Sequence, residues 1–291
     1  MTIQWFPGHM AKAKREVATS LKLVDVVIEI VDARLPDSSR NPMMIEVVRQ
    51  KPAVIVLGKA DLADPHVTKD YVDAWERSLK APVVAVDNLH GNSMNRVLDA
   101  AKRATADRFA TMAKRGIKRT AIRAMVVGIP NVGKSSFINR LAGRSAAKTG
   151  DKPGVTKQQQ WIKVAQSIEL LDTPGILWPK FDDRDVALHL AWSGAIKSTI
   201  LEPQELAQEL LVWFCRQYPE NLLHRFDFLA RTDSALDMLV KIAQRRVPLK
   251  AQGEPDVDRA AELLLREVQT GALGRLTFDR PNDHGSDHRG S

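Results

Sequence analysis

Two motifs stand in reversed order in this chain, and that order restricts its fold more than any other feature. Gly58-Lys59-Ala60-Asp61 comes seventy residues before Gly128-Ile129-Pro130-Asn131-Val132-Gly133-Lys134-Ser135. The second matches the phosphate-loop signature, in which glycines let backbone N–H groups curl around phosphate oxygens. The first resembles a base-reading element that ordinarily follows the phosphate loop. A third motif, Asp172-Thr173-Pro174-Gly175, comes after the phosphate loop at the usual distance. The parts of one nucleotide site are thus all present, but cyclically rearranged.

Each motif sits at the end of an apolar run rich in β-branched residues. Six such runs (24–31, 53–57, 82–86, 122–127, 160–164 and 168–171) read as strands of a mostly parallel, buried sheet. The last two are separated by a tight turn, which suggests an antiparallel hairpin at the sheet edge. Helical segments such as 93–104 and 134–141 follow the first, third and fourth strands, the alternation of a doubly wound α/β domain. The expected fold class is therefore α/β: a circularly permuted P-loop domain over residues 1–180, with a six-stranded sheet and an N-terminal segment 1–22. From about residue 185 the pattern becomes helical, over 186–197, 203–217, 234–244 and 256–270. Asp256 and Asp258 suit a helix start and Gly271 a helix end. A small all-α bundle is expected over 185–278, and a polar, disordered tail over 279–291.

Charge separates the same two parts. Residues 1–184 hold 30 Lys and Arg against 19 Asp and Glu, whereas the remainder holds 13 against 16. A basic first part favours a polyanionic partner such as nucleic acid. Basic density peaks in the connection 102–123, with eight cations (Lys102, Arg103, Arg108, Lys114, Arg115, Lys118, Arg119, Arg123) against Asp107 alone. An RNA-backbone contact is one reading of it, and a solvated helix and loop is the other. The single cysteine, Cys215, excludes an internal disulfide and a cysteine-based zinc site, and its apolar neighbours suggest a buried thiol. No apolar run approaches the roughly 20 residues that span a bilayer. The start of the chain lacks the basic-then-apolar order of a signal peptide, so a cytoplasmic location without membrane attachment is expected.

The motifs assign chemistry residue by residue. Gly133 and its neighbours Asn131, Val132 and Ser136 would enclose phosphates at the positive end of the following helix. Lys134 would reach the terminal phosphates, and the Ser135 hydroxyl would ligate Mg²⁺. Asp172 is placed to hold the same ion, and the Gly175 N–H to sense the γ-phosphate. Thr149 and Thr156 both lie where a second hydroxyl ligand is needed, and Thr156 is preferred. Asp61 can accept two hydrogen bonds from guanine, a donor pair that adenine lacks. Gly58, Lys59 and Ala60 shape that loop, with the Lys59 stem over the base, and Asp87-Asn88 closes on the base from the next strand. Asp32-Ala33-Arg34, ending the first strand, either buttresses the base loop or receives the N-terminal segment.

These features together resemble the YlqF-type ribosome biogenesis GTPase A family. The shared residues include Trp5-Phe6-Pro7-Gly8-His9-Met10-Ala11-Lys12, Asp32-Ala33-Arg34 leading to Arg40-Asn41-Pro42, and Gly274-Arg275-Leu276-Thr277-Phe278, besides the motif order itself. The resemblance covers nearly the whole chain. It implies a GTP-hydrolysing factor, cycling between GTP and GDP with Mg²⁺, in late assembly of the large ribosomal subunit. Its partners would be the subunit precursor and rRNA, to which the helical domain contributes binding, and off the ribosome it would be monomeric. The family carries Asn-Lys-x-Asp where this chain has Gly58, which predicts looser GTP binding with guanine selection retained.

The position that in Ras-like proteins holds the water-orienting glutamine is Ile176, which cannot hold a water by hydrogen bonding. His9, in a segment able to fold over the site, is the catalytic candidate, and the resemblance points to it as well. The competing reading has His9 packing or touching RNA. Asn131 is also a candidate K⁺ ligand, since related GTPases with asparagine here bind K⁺ beside the phosphates. The alternative is an asparagine that merely fits the loop. Three rival functions remain at this stage. One is a metabolic phosphotransferase, another a nucleotide-regulated RNA-binding protein with negligible hydrolysis. The third, a small-subunit assembly GTPase, is disfavoured because the lone cysteine excludes a cysteine-rich zinc module and residues 1–22 are too few for an oligonucleotide-binding barrel.

Overall fold

The computed structural model describes residues 15, 17–42, 45–46, 49–87, 93–117, 121–143, 160–164, 168–172, 183–196, 202–251 and 253–281. Its sheet is built from β1 (Val26–Asp32), β2 (Ala53–Gly58), β3 (Val83–Ala85), β4 (Ile122–Val127), β5 (Gln160–Val164) and β6 (Ile168–Asp172). They lie in the order β3-β2-β1-β4-β6-β5, all parallel except the β5–β6 hairpin at one edge. The six strands expected from the apolar runs are present. β1 reaches one residue further than its apolar run because Asp32 still pairs with Gly58 of β2.

β1 is buried along its entire length, as a central parallel strand covered on both faces must be. Its one charged interior residue, Glu29, is held by a fork from Arg40, at 3.1 Å from Nε and 2.8 Å from the second nitrogen. The Arg40 guanidinium also lies 4.9 Å from the Trp75 ring centroid, so the cation is covered as well as paired. On one face, Val17 and Leu21 pack on Val27, Met125, Val127 and Leu171. Nearby, Tyr71 and Trp75 pack on Val31, Ile55, Leu57 and Val83.

Those two aromatics belong to α1 (Pro65–Leu79), a helix the apolar pattern did not single out. Its signals were local: Asp64 caps it by accepting from the N–H groups of His66 and Val67, and proline occupies its first turn. After β3, α2 runs from Ser93 to Lys114. The basic connection is therefore helical over its first half. β4 leads into α3 (Lys134–Ala142).

The chain divides into two units: residues 1–182 with 277–291, and residues 183–276. The second contains α4 (Arg184–Trp192), α5 (Pro203–Gln217), α6 (Pro219–Arg225), α7 (Ala235–Arg246) and α8 (Val257–Thr270). Asp256 caps α8 through the Arg259 N–H, and Gly271 ends it in a left-handed conformation (φ 81°). The short α6 was absent from the expected set because seven residues carry too little periodicity. Leu210, Phe214, Leu239, Ile242 and Leu264 form the buried interior of this unit. Glu267 is buried there and receives Arg225 at 2.6 and 2.8 Å. Cys215 is half-buried rather than fully buried, and burial pushes its thiol pKa upward.

The end of the chain departs from expectation. Residues 277–281 join the first unit, and Asp279, assigned from sequence to a disordered tail, is buried with its carboxylate accepting from the Ser38 N–H and hydroxyl at 2.7 and 2.6 Å. No described helix is long and apolar enough to cross a membrane.

Candidate nucleotide site

The phosphate loop leaves β4 so close to β1 that its first residue has to be glycine. A Cβ on Gly128 would stand 2.4 Å from the Ile30 carbonyl oxygen, inside van der Waals contact with rigid backbone. The loop then turns through Asn131 (φ 60°) and Gly133 (φ 96°) into α3. Gly133, which precedes α3, makes no side-chain cap, and the loop delivers the positive end of the helix dipole to the site. Lys134 is only 8% exposed, and its ammonium donates to the carbonyls of Ile129 (2.8 Å) and Gly128 (3.1 Å). A cation buried at the end of a helix that already favours negative charge is a setting suited to phosphate. Ser135 and Ser136 follow in the first turn of α3.

The base-reading loop begins where β2 ends. Lys59 adopts a left-handed backbone (φ 57°) and sends its ammonium to the Asn131 carbonyl at 2.8 Å. The same ammonium lies 2.9 Å from the Asp32 carboxylate, which Arg34 grips at 2.8 and 3.0 Å while donating its own N–H at 3.0 Å. Asp32 and Arg34 are both 2% exposed at their side chains. Burial by itself would raise the Asp32 carboxyl, but the Arg34 guanidinium and then the Lys59 ammonium outweigh it and hold the pKa well below the usual carboxylate range. Burial pushes Lys59 down, against the pull of Asp32. Asp32 and Arg34 therefore buttress the base loop, and the other role considered, receiving the N-terminal segment, falls on residues 1–14 outside the described ones. The buttress is a site role that sequence reasoning left undecided. The available signal was an aspartate closing an otherwise apolar strand.

Backbone bonds draw in the remaining base-side residues. Ala60 donates to Val86 at 3.1 Å and Val86 to Leu57 at 2.8 Å, so Asp61 and Asp87 emerge from two loops tied together. Gly58, Lys59, Ala60, Asp61 and Asp87 thus share one end of the sheet with Asn131, Val132, Gly133, Lys134, Ser135 and Ser136. Asp172 ends β6 opposite Val126, two residues before the phosphate loop, which brings the first residue of the third motif to the same end. His9, Asn88, Thr149, Thr156 and Gly175 lie outside the described residues. Among the described residues no cluster of His, Cys, Asp and Glu is built to hold a metal by itself.

Support for the base loop also comes from the far end of the chain. Thr277 accepts the Asp64 N–H at 3.1 Å, Phe278 donates to the Arg34 carbonyl at 2.6 Å, and Asp279 holds Ser38. These residues were missed because nothing local in Thr277-Phe278-Asp279 marks contacts 213 and 241 residues away.

Comparison with known proteins gives a consistent result. The family model described as 50S ribosome-binding GTPase matches residues 123–224. The chain is 49% identical to Ribosome biogenesis GTPase A of Priestia megaterium over 97% of its own length and 98% of the relative's. It is 31% identical to Mitochondrial ribosome-associated GTPase 1 of Bos taurus, covering 95% of this chain and 88% of that one. Among solved structures, GNP-bound YlqF from T. maritima superposes with a TM-score of 0.69 at 28% identity, covering 94% of this chain and 99% of that one.

Proposed function

The chain belongs to the ribosome biogenesis GTPase A family, and on that premise we propose that it is an assembly factor acting late in maturation of the large ribosomal subunit. It is a GTPase, turning GTP into GDP and phosphate. In the proposed role it docks on the subunit precursor and its rRNA, and the docked particle stimulates hydrolysis. The observation that carries this reading is the closure of the site across the permutation, through the bond from Lys59 to the Asn131 carbonyl. Whatever engages the base loop is thereby mechanically linked to the loop that holds the phosphates.

Within this reading Asp61 selects guanine, and Asp87 with Asn88 closes on the base. The N–H groups of Val132, Gly133 and Ser136 and the Lys134 ammonium hold the phosphates. Ser135, Thr156 and Asp172 would hold Mg²⁺, whose charge offsets that of the phosphates. Asn131 would hold K⁺ where a further positive charge favours the transition state. His9 orients the attacking water, since Ile176 cannot, and ordering of the segment around His9 by bound rRNA supplies the stimulation. Gly175 and Thr156 report the γ-phosphate and are released when it leaves.

Sedimentation with separated ribosomal subunits in GTP analogue, GDP and nucleotide-free conditions tests the proposal. Binding to the large subunit at physiological salt, strongest with the analogue, is expected, together with faster GTP turnover in its presence. Binding to the small subunit alone would overturn the large-subunit role. Turnover that stays negligible with either subunit would leave a nucleotide-regulated RNA-binding protein.

A further inference from the structure

The β5 edge of the sheet carries an aromatic ring that the nucleotide site does not use. Along β5, Ile162 and Val164 are buried while Trp161 and Lys163 face outward, and Trp161 is 43% exposed. An exposed lysine is a common guard on an edge strand, because it discourages pairing with another chain. An exposed tryptophan offers no such protection. Arg123 on β4 reaches toward the ring, with its guanidinium carbon 5.2 Å from the ring centroid, while its Nε donates to Glu169 at 3.1 Å. Arg123 and Lys163 are both in register with Glu169, one from each side. Arg123 therefore pairs with Glu169 next to an accessible aromatic ring, while Lys163 on the neighbouring strand makes no ion pair among the described residues.

The surroundings of Arg123 extend the positive charge. Its N–H bonds Asp25 at 2.9 Å, and the other oxygen of that buried carboxylate receives Arg108 at 3.1 Å. Between Arg108 and Arg123 the chain holds six cations and no acid. An accessible indole beside cations is the chemistry that binds unpaired nucleotides: the ring stacks on the base and the cations attract the phosphates. An apolar peptide would use the ring but not Arg108, Arg123 and Lys163 around it, so charge complementarity favours RNA.

We propose that Trp161, flanked by Arg123 and Lys163, is a stacking platform for an unpaired nucleobase of RNA, with Arg108, joined to Arg123 through Asp25, attracting a neighbouring phosphate. The proposal rests on the reading of this protein as one that works on an RNA-containing particle, but it concerns a site separate from the nucleotide pocket. The test uses the full chain and a fluorescein-labelled single-stranded oligoadenylate, read by anisotropy, with GTP affinity measured alongside as a control for folding. Trp161→Ala should weaken oligoadenylate binding by roughly 5- to 150-fold, the range seen when stacking aromatics are replaced by alanine. Trp161→Phe should recover most of that loss. Arg123→Gln with Lys163→Gln should flatten the salt dependence. GTP affinity should stay unchanged in all of them. Oligoadenylate binding by Trp161→Ala equal to that of the unaltered protein overturns the platform, as does an absence of binding by the unaltered protein. If Trp161→Ala keeps oligoadenylate but loses intact large subunits, a ribosomal protein occupies the ring and the RNA assignment is wrong. Failure of the unaltered protein to sediment with large subunits would count against the assembly role instead.

Discussion

Asp32 sits at the end of β1 between the buried Arg34 and the partly buried Lys59, and its charge is what keeps Lys59 aimed at the phosphate loop. Replacing it with asparagine leaves Arg34 and Lys59 without their counter-ion, a change that costs roughly 3–5 kcal/mol for buried pairs. Chemical denaturation of Asp32→Asn should show a loss of that size, together with weaker GTP binding. The pH dependence follows from the depressed carboxyl. Its folded pKa lies below the unfolded value of about 3.9, so its contribution is complete above about pH 5 and drains away as pH falls through the lower folded value. The stability difference between the two proteins should therefore shrink in acid, and a gap that stays constant from neutral pH down to pH 2 would rule out the assigned ionisation. Gly58 presents the opposite case, a missing side chain. A Cβ there would meet Ile30, Val31 and the Val132 carbonyl oxygen at 3.5 Å, all ordinary contacts, so the position has room for the family's asparagine. Gly58→Asn should tighten GTP binding by about 2- to 10-fold, the worth of one added hydrogen bond. Equal dissociation constants in titration calorimetry would show that the Lys59 brace already does the work of the absent amide.

The strand ends decide the geometry at the level of elements. β1, β2 and β4 stop at one end of the sheet, and each hands its next residues directly to the site. The apolar runs made these strands readable, because a strand covered on both faces must be apolar in nearly every position. The phosphate loop was readable for a different reason: its function requires particular residues at fixed spacing. The tightness of its seat against β1 was not readable, since a glycine motif does not say which neighbour approaches. Gly128→Ala tests that seat. With the Ile30 carbonyl 2.4 Å from the new Cβ, strand or loop has to shift, and overpacking of this kind costs about 1–3 kcal/mol. A lower melting temperature together with lost GTP binding is expected, and an unperturbed variant would mean that β1 and β4 are further apart. α1 shows where pattern reading fell short. Its cap and its N-terminal proline were visible, but its apolar face is carried largely by Tyr71 and Trp75 rather than by an aliphatic stripe.

In the whole molecule, the helical unit is an insertion rather than an appendage. The chain leaves the nucleotide unit at residue 182 and rejoins it at 277, so the helices are tethered to it at both ends. The return is secured by buried Thr277, Phe278 and Asp279. Asp279→Ala would strand the Ser38 hydroxyl and N–H, at a cost of about 1–3 kcal/mol for buried groups left unsatisfied. Hydrogen exchange should accelerate around residues 34–41, while α5, α7 and α8 keep their protection. Faster exchange in the helices instead would show that the segment's main role is to stabilise the second unit. Sequence by itself determined the nucleotide chemistry, the permuted order, the six strands and the change to helices, because each is written in residues close together along the chain. Tertiary structure alone decided that Asp32 tensions Lys59 onto Asn131, and that the C-terminal segment locks the loop after β1. Those are pairings between distant residues, and a polar side chain does not carry the identity of its partner. Burial selects the partner once the backbone has brought the two together.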